Sequence, residues 1–191
     1  SGIAIDPSGD IYVFERQNLR LQKFTSAGEF LYMLGGEVNK TNGGDICTRA
    51  QLEGGDVCGA GVTGTGNGEF SVQSVIGVAG DYVDIGPTGT VYVGDKDRVQ
   101  AFELDGDFVG QIPFADVNAE DSRFPASGNP GALAVDSLSG DIYFAFAQGV
   151  LEQEKVHGVY RLDEGGELVD VLEAVGPKAP GNFDSPESLA T

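Results

Sequence analysis

The stretch Ile3-Ala4-Ile5-Asp6-Pro7-Ser8-Gly9-Asp10-Ile11-Tyr12-Val13 sets an apolar run, a turn and a second apolar run end to end. Its centre has Asp at the first turn position, Pro at the second and Gly at the fourth, as a type I turn prefers. The flanking residues are rich in β-branched and aromatic types, which suit strands. The pattern returns as Val83-Asp84-Ile85-Gly86-Pro87-Thr88-Gly89-Thr90-Val91-Tyr92-Val93. It returns again as Leu133-Ala134-Val135-Asp136-Ser137-Leu138-Ser139-Gly140-Asp141-Ile142-Tyr143-Phe144, longer by one residue in the turn. A repeat of this kind fixes architecture before any single motif is weighed.

The second half of each copy repeats as well. Leu19-Arg20-Leu21-Gln22-Lys23-Phe24 precedes Thr25-Ser26-Ala27-Gly28 and then Glu29-Phe30-Leu31-Tyr32-Met33-Leu34. Arg98-Val99-Gln100-Ala101-Phe102 and Gly158-Val159-Tyr160-Arg161-Leu162 open the corresponding segments of the later copies. In all three, a Gly follows the large apolar residue by four positions, and an apolar residue follows that Gly by two. Strand alternation around a Gly-containing hairpin loop explains both spacings. Each copy therefore reads as a four-stranded antiparallel meander, over about residues 1–36, 70–114 and 124–175, with an insert over about 37–67 and the start of a further unit at 182–191. Four-stranded units in series predict an all-β fold, a β-propeller of four-stranded antiparallel blades. Closed propellers carry four to eight blades. Three blades plus the first strand of a fourth leave an incomplete ring in this chain, so further blades or a self-assembly partner are expected at the open blade edges.

The composition fits. Among 191 residues there are 30 Gly and no Trp, and 40% are hydrophobic, which suits a turn-rich β chain better than a helical or disordered one. Eleven Lys and Arg against 30 Asp and Glu give a formal charge of -19. Such a surface repels phosphate backbones and anionic headgroups, so neither nucleic acid nor a membrane is an expected partner. No apolar run approaches the roughly 20 residues that cross a bilayer as a helix.

Ile3-Ala4-Ile5-Asp6, Gly9-Asp10-Ile11-Tyr12-Val13, Leu19-Arg20-Leu21-Gln22-Lys23-Phe24 and Gly28-Glu29-Phe30 together resemble the NHL repeat. Gly68-Glu69-Phe70 and Gly181-Asn182-Phe183 resemble the Gly-x-Phe that precedes a new blade of that family. The resemblance covers most of the chain outside residues 37–67 and 145–156 and weakens from the first copy to the third. It implies a propeller. It also raises an enzyme class, the peptidyl-hydroxyglycine lyases with histidine-bound zinc, but His157 is the single histidine here.

Cys47 and Cys58 lie in the insert and are the two cysteines of the chain. Their spacing is not the Cys-x-x-Cys of a redox centre, and Asp45 and Asp56 are poor companions for a zinc site. A structural disulfide is expected, with an oxidising compartment: a secreted, extracellular or cell-surface location. In a propeller the insert joins an outermost strand to the next innermost one. It should then share a face with the loops between second and third strands. Those loops are Glu15-Arg16-Gln17-Asn18, Asp95-Lys96-Asp97, and a long third one that includes Glu152, Glu154 and His157. Loops on a rigid scaffold are where binding sites are built. Asp84 stands where the other copies have Ala4 and Ala134. In an innermost strand it would ligate calcium if other blades supplied more oxygen donors, or else serve as a hydrogen-bonded or solvated carboxylate. Asp6 and Asp136 are expected to bind their own turns. No nucleophile elbow, phosphate loop or dinucleotide fingerprint is present.

The expected function is a non-enzymatic binding or assembly module without a cofactor, offering disulfide-braced loops to a protein or glycan. The alternative is a calcium-dependent hydrolase or lyase whose site is completed by blades outside this chain.

Overall fold

A computed structural model describes residues 2–71, 82–122, 124, 130–146 and 158–173. The first sheet runs β1 (Gly2–Ile5), β2 (Ile11–Glu15), β3 (Arg20–Phe24), β4 (Phe30–Asn39), all antiparallel neighbours. A further strand, β5 (Gly44–Thr48), pairs with β4 and leads into a short helix, α1 (Arg49–Glu53). The second sheet is β6 (Tyr82–Ile85), β7 (Val91–Gly94), β8 (Arg98–Phe102) and β9 (Phe108–Pro113), followed by α2 (Phe114–Glu120). The third is β10 (Pro130–Val135), β11 (Ile142–Phe146), β12 (Gly158–Leu162) and β13 (Leu168–Glu173). In each sheet the strands are ordered as they occur in the chain.

The repeat holds at the level of register. Ile3 faces Val13, Val83 faces Val93, and Leu133 faces Phe144. The first turn of each copy is closed by its Gly: Gly9 N donates to Asp6 O at 2.8 Å, Gly89 N to Gly86 O at 3.0 Å and Gly140 N to Asp136 O at 2.9 Å. Asp6 and Asp136 also accept local backbone N–H groups through their carboxylates, as expected of turn aspartates. The second turn is closed by Gly28, Gly106 and Gly166, and a register shift follows at Lys23/Phe24, Ala101/Phe102 and Arg161/Leu162 alike. A left-handed Gly next to a bulge is the natural solution for a short hairpin loop between right-twisted strands.

One expectation is corrected. The first sheet has five strands, not four, because the insert is not all loop. β4 continues past Gly36 to Asn39, turns, and receives β5, whose Cys47 packs with Met33 and Val38.

The sheets pack in sequence, with β1 beside β6 and β6 beside β10. Ala4, Tyr12, Phe14, Leu21, Tyr32 and Leu34 meet Val83, Val91, Val93 and Phe102 of the second sheet. Phe70 is fully buried between Phe14 and Phe102, with ring centroids at 4.9 and 6.3 Å. On its other face the second sheet places Tyr82, Tyr92 and Val99 against Leu133, Val135, Ile142, Phe144, Tyr160 and Leu162. Each such side chain contributes about 1.5–3 kcal/mol when fully withdrawn from water.

A polar knot fixes the first of these interfaces. The Leu104 carbonyl, in the turn between β8 and β9, accepts from Tyr12 Oη at 3.2 Å, Tyr32 Oη at 3.2 Å and Lys23 Nζ at 3.1 Å. The Lys23 ammonium lies 3.5 Å from Asp6 and 3.3 Å from Asp10, over the Tyr12 ring. Gly106 follows in the same turn with φ 97°, and a Cβ there would meet the Tyr32 ring at 3.1 Å. Glycine serves both the turn and the close approach.

Burial works against ionisation of Asp6, but hydrogen bonds from Ser8 and Asp10 and the Lys23 charge outweigh it and hold the carboxyl below its ordinary range. A group with a lowered folded-state pKa adds stability above its unfolded pKa and loses it as pH falls through the folded value. Asp6→Ala is therefore expected to cost about 1.5–3 kcal/mol at neutral pH. The gap from wild type should narrow as pH drops below about 4, as read by urea denaturation at each pH.

Candidate binding face

The insert is built onto the end of the first sheet. Asn39 is fully buried; its amide donates to Asp56 at 2.7 Å and its carbonyl oxygen accepts Thr41 N at 3.0 Å, which shapes the turn into β5. Thr48 and Gln51 form a capping box that starts α1. Cys47 and Cys58 are joined, with Cα atoms 5.8 Å apart, so the expected disulfide is present. On either side of Cys58 the chain doubles back along the end of β4 and the residue after it: Lys40 N donates to Val57 O at 2.7 Å, Gly59 N to Val38 O at 2.9 Å and Val62 N to Gly36 O at 2.7 Å.

The insert reaches the first of the predicted loops. Gly61 N donates to Asn18 O at 2.7 Å, and a side chain at Gly61 would overlap the Leu19 carbonyl. Arg16 to Asn18 form a single 3-10 turn. Glu15 is held by Arg20, by Gln22 Nε2 at 2.7 Å and by Asn18 Nδ2 at 3.1 Å. Burial raises its pKa, but these bonds and the Arg20 charge prevail, and the carboxyl sits below its usual range. Gln17 is exposed at the tip.

The second loop lies where the insert ends. Lys96 N donates to Ser71 O at 3.1 Å, and Lys96 pairs with the exposed Asp97 at 3.2 Å. Asp95 is buried against Arg98 at 3.2 Å; burial pushes its carboxyl up, more than Arg98 draws it down. The third loop, with Glu152, Glu154 and His157, lies outside the described residues, as does the unit start at 182–191.

Arg98 and Gln100 carry a role that the sequence reading did not assign. The Arg98 guanidinium donates to the carbonyls of Thr65 at 2.9 Å, Gly66 at 3.0 Å and Glu69 at 3.0 Å, and to Gln111 Oε1 at 2.6 Å. Gln100 donates to Glu69 O at 2.8 Å and accepts Gly68 N at 2.9 Å. The pair clamps the backbone ahead of Phe70, so the tail of the insert is fixed to the second sheet while its body is fixed to the first. The signal was the shared Arg-x-Gln of Arg20-Leu21-Gln22 and Arg98-Val99-Gln100. In the first sheet the same two side chains close on Glu15.

Asp84 lies apart from this face, in β6. Its Oδ1 accepts Ile85 N at 2.9 Å and its Oδ2 accepts Val135 N at 2.7 Å, so the carboxylate bridges β6 to β10. Among the described residues no group of three or more His, Cys, Asp or Glu is placed to hold a metal ion, and no helix is long and apolar enough to cross a membrane.

What the face offers chemically is shape. Its carboxylates at Glu15 and Asp95 are engaged by Arg20 and Arg98. Leu52, Val57 and Val62 stand exposed on the insert, while Arg49 pairs with Glu29 and Glu53 at its surface.

No family model and no curated protein matches the chain. Among solved structures, a streptogramin B lyase is similar at 14% identity and a TM-score of 0.40, over 92% of this chain and 54% of that one. A protein of unknown function from Bacteroides caccae is similar at 14% identity and a TM-score of 0.35, over 90% of this chain and 60% of that one. The chain thus spans little more than half the length of either.

Opening the Cys47–Cys58 link frees a loop with a sequence separation of 11, worth about 3 kcal/mol in the chain-entropy model. Reduction, or Cys47→Ser with Cys58→Ser, should lower the urea midpoint. It should also speed tryptic cleavage after Lys40 and Arg49 relative to sites in the sheets.

Proposed function

We propose that the chain is part of an NHL-type β-propeller from an exported protein, and that its disulfide-braced insert, with the loops at Glu15–Asn18 and Asp95–Asp97, forms a non-enzymatic binding face for a protein partner or a glycan. The observation that carries this reading is the anchoring of the insert at both ends. The disulfide and the Gly61–Asn18 bond tie it to the first sheet, and Arg98 with Gln100 ties its tail to the second. A long excursion held this firmly presents its surface with little ordering cost on binding.

Three further features support it. The lateral succession of β1, β6 and β10 supports a radial arrangement of blades. The engagement of Arg-x-Gln with Gly-Glu-Phe gives the NHL-like pattern a physical purpose in this chain. The disulfide supports an oxidising compartment outside the cytosol. Asp84, with both oxygens bound by backbone N–H groups, acts in this reading as a brace between blades. Exposed Leu52 and Val57 add apolar surface on the outer side of the insert, of the kind that recognition surfaces favour.

The test uses the purified chain on a glycan array and on an array of extracellular protein domains. A specific partner is expected on one of them. Leu52→Asp with Val57→Asp, at exposed positions, should weaken its Kd at least about tenfold, or 1.4 kcal/mol, with the urea midpoint unchanged. No partner on either array, or an unchanged Kd, would overturn the reading.

A further inference from the structure

We propose that Asn39 is a conditional glycan acceptor: an asparagine-linked oligosaccharide and the closed insert are alternative fates of this one residue. The inference concerns how the insert forms, and is independent of what the insert binds.

Asn39-Lys40-Thr41 has the Asn-x-Ser/Thr spacing that an oligosaccharide-transferring enzyme reads, with Lys rather than Pro in the middle. No other asparagine of the chain begins such a triplet. The motif belongs on a surface loop. Here Asn39 ends β4 and is fully buried. Its Nδ2, the atom that would carry the sugar, donates to Asp56 Oδ2 at 2.7 Å. Its Oδ1 accepts Thr41 N at 3.0 Å. The Thr41 hydroxyl, the third element of the motif, accepts Val57 N at 2.9 Å. Both side chains that define the motif are therefore used to shape the turn and to fasten it to Asp56 and Val57.

The cover over Asn39 is the far end of the insert. Asn39 bridges Cys58 as an antiparallel pair. Two backbone bonds flank that pair, Lys40 N to Val57 O at 2.7 Å and Gly59 N to Val38 O at 2.9 Å. Cys58 is held in turn by its link to Cys47 in β5. Beside a residue with no exposed surface there is no room for a sugar ring. A chain modified before the insert closes cannot then lay Asp56 to Gly59 over Asn39, and a chain that closes first has sealed its acceptor.

The transfer joins Nδ2 to the anomeric carbon of an oligosaccharide carried on a lipid diphosphate. The bond from that carbon to the diphosphate oxygen breaks, the lipid diphosphate leaves with the electron pair, and one of the two Nδ2 protons passes to solvent. Disulfide formation takes seconds to hours, depending on the oxidant. The oxidant thus sets how long the acceptor stays open.

The test is secretion of the chain, behind a cleavable signal, from cultured mammalian cells. A gel-mobility shift removed by a glycan-releasing amidase reports the modification, and Asn39→Gln should abolish it. Glycan-bearing chains should unfold at lower urea than glycan-free ones and be cut faster by trypsin after Arg49. Cys47→Ser with Cys58→Ser, or dithiothreitol present during synthesis, should convert glycan-free chains into glycan-bearing ones. A glycan on chains with the urea midpoint of glycan-free ones overturns the proposal. So does a glycan-free fraction of wild type that persists undiminished when the disulfide is prevented from forming.

Discussion

A four-stranded antiparallel sheet has two faces and no interior, so it gains little until something covers it. In this chain the cover is another sheet of the same kind, laid against it with first strands side by side. The Leu104 carbonyl marks where that contact is specified rather than merely greasy. A main-chain oxygen at a hairpin tip of the second sheet receives three donors from the first, Tyr12, Tyr32 and Lys23. Left without donors at a buried interface, such an oxygen would cost about 1–3 kcal/mol. Two of the donors, Tyr12 and Lys23, also contact Asp6, itself fixed by the first turn of the repeat. Local turn chemistry thus reaches through one lysine and one tyrosine to the placement of the neighbouring sheet.

The same economy governs the insert. Its tail runs between two sheets and would carry unpaired carbonyls into a crowded seam. Arg98 and Gln100 meet those carbonyls, and Phe70 fills the apolar gap beside them. Fixing the tail fixes where the insert leaves the scaffold, and the disulfide limits how far its middle can stray. Glu15 then ties Arg20 and Gln22 together at the neighbouring loop. The outcome is a surface positioned by the fold, with exposed apolar side chains at its outer edge.

Much of the scaffold was legible because its signals are local. Gly9, Gly89 and Gly140 close turns that need a left-handed residue, and strand alternation beside them sets the register. β5 was not legible. Gly44-Asp45-Ile46-Cys47-Thr48 has no alternating pattern, and what makes it a strand is the free edge of β4 and the packing of Cys47 on Met33. α2 escaped notice for a similar reason: about two turns are held by burial of Phe114 and Val117, a tertiary effect. Asp84 stood out in the sequence as a break in the repeat. Its use, however, depends on the position of the Val135 amide, 51 residues away, which no pattern in the chain encodes. The Arg-x-Gln pair was visible as a repeat, but its target became visible only when residues 65–69 were seen to lie against it.

The lateral packing of sheet on sheet underlies the fold and the anchoring of the insert alike. The most direct measurement is of proton–proton contacts in solution between the Tyr32 ring and the Gly106 α-protons, recorded by nuclear Overhauser spectroscopy. The account expects strong cross-peaks, matching a ring 3.1 Å from the Cβ position of that glycine. Absence of those peaks, while contacts within each sheet persist, would contradict it.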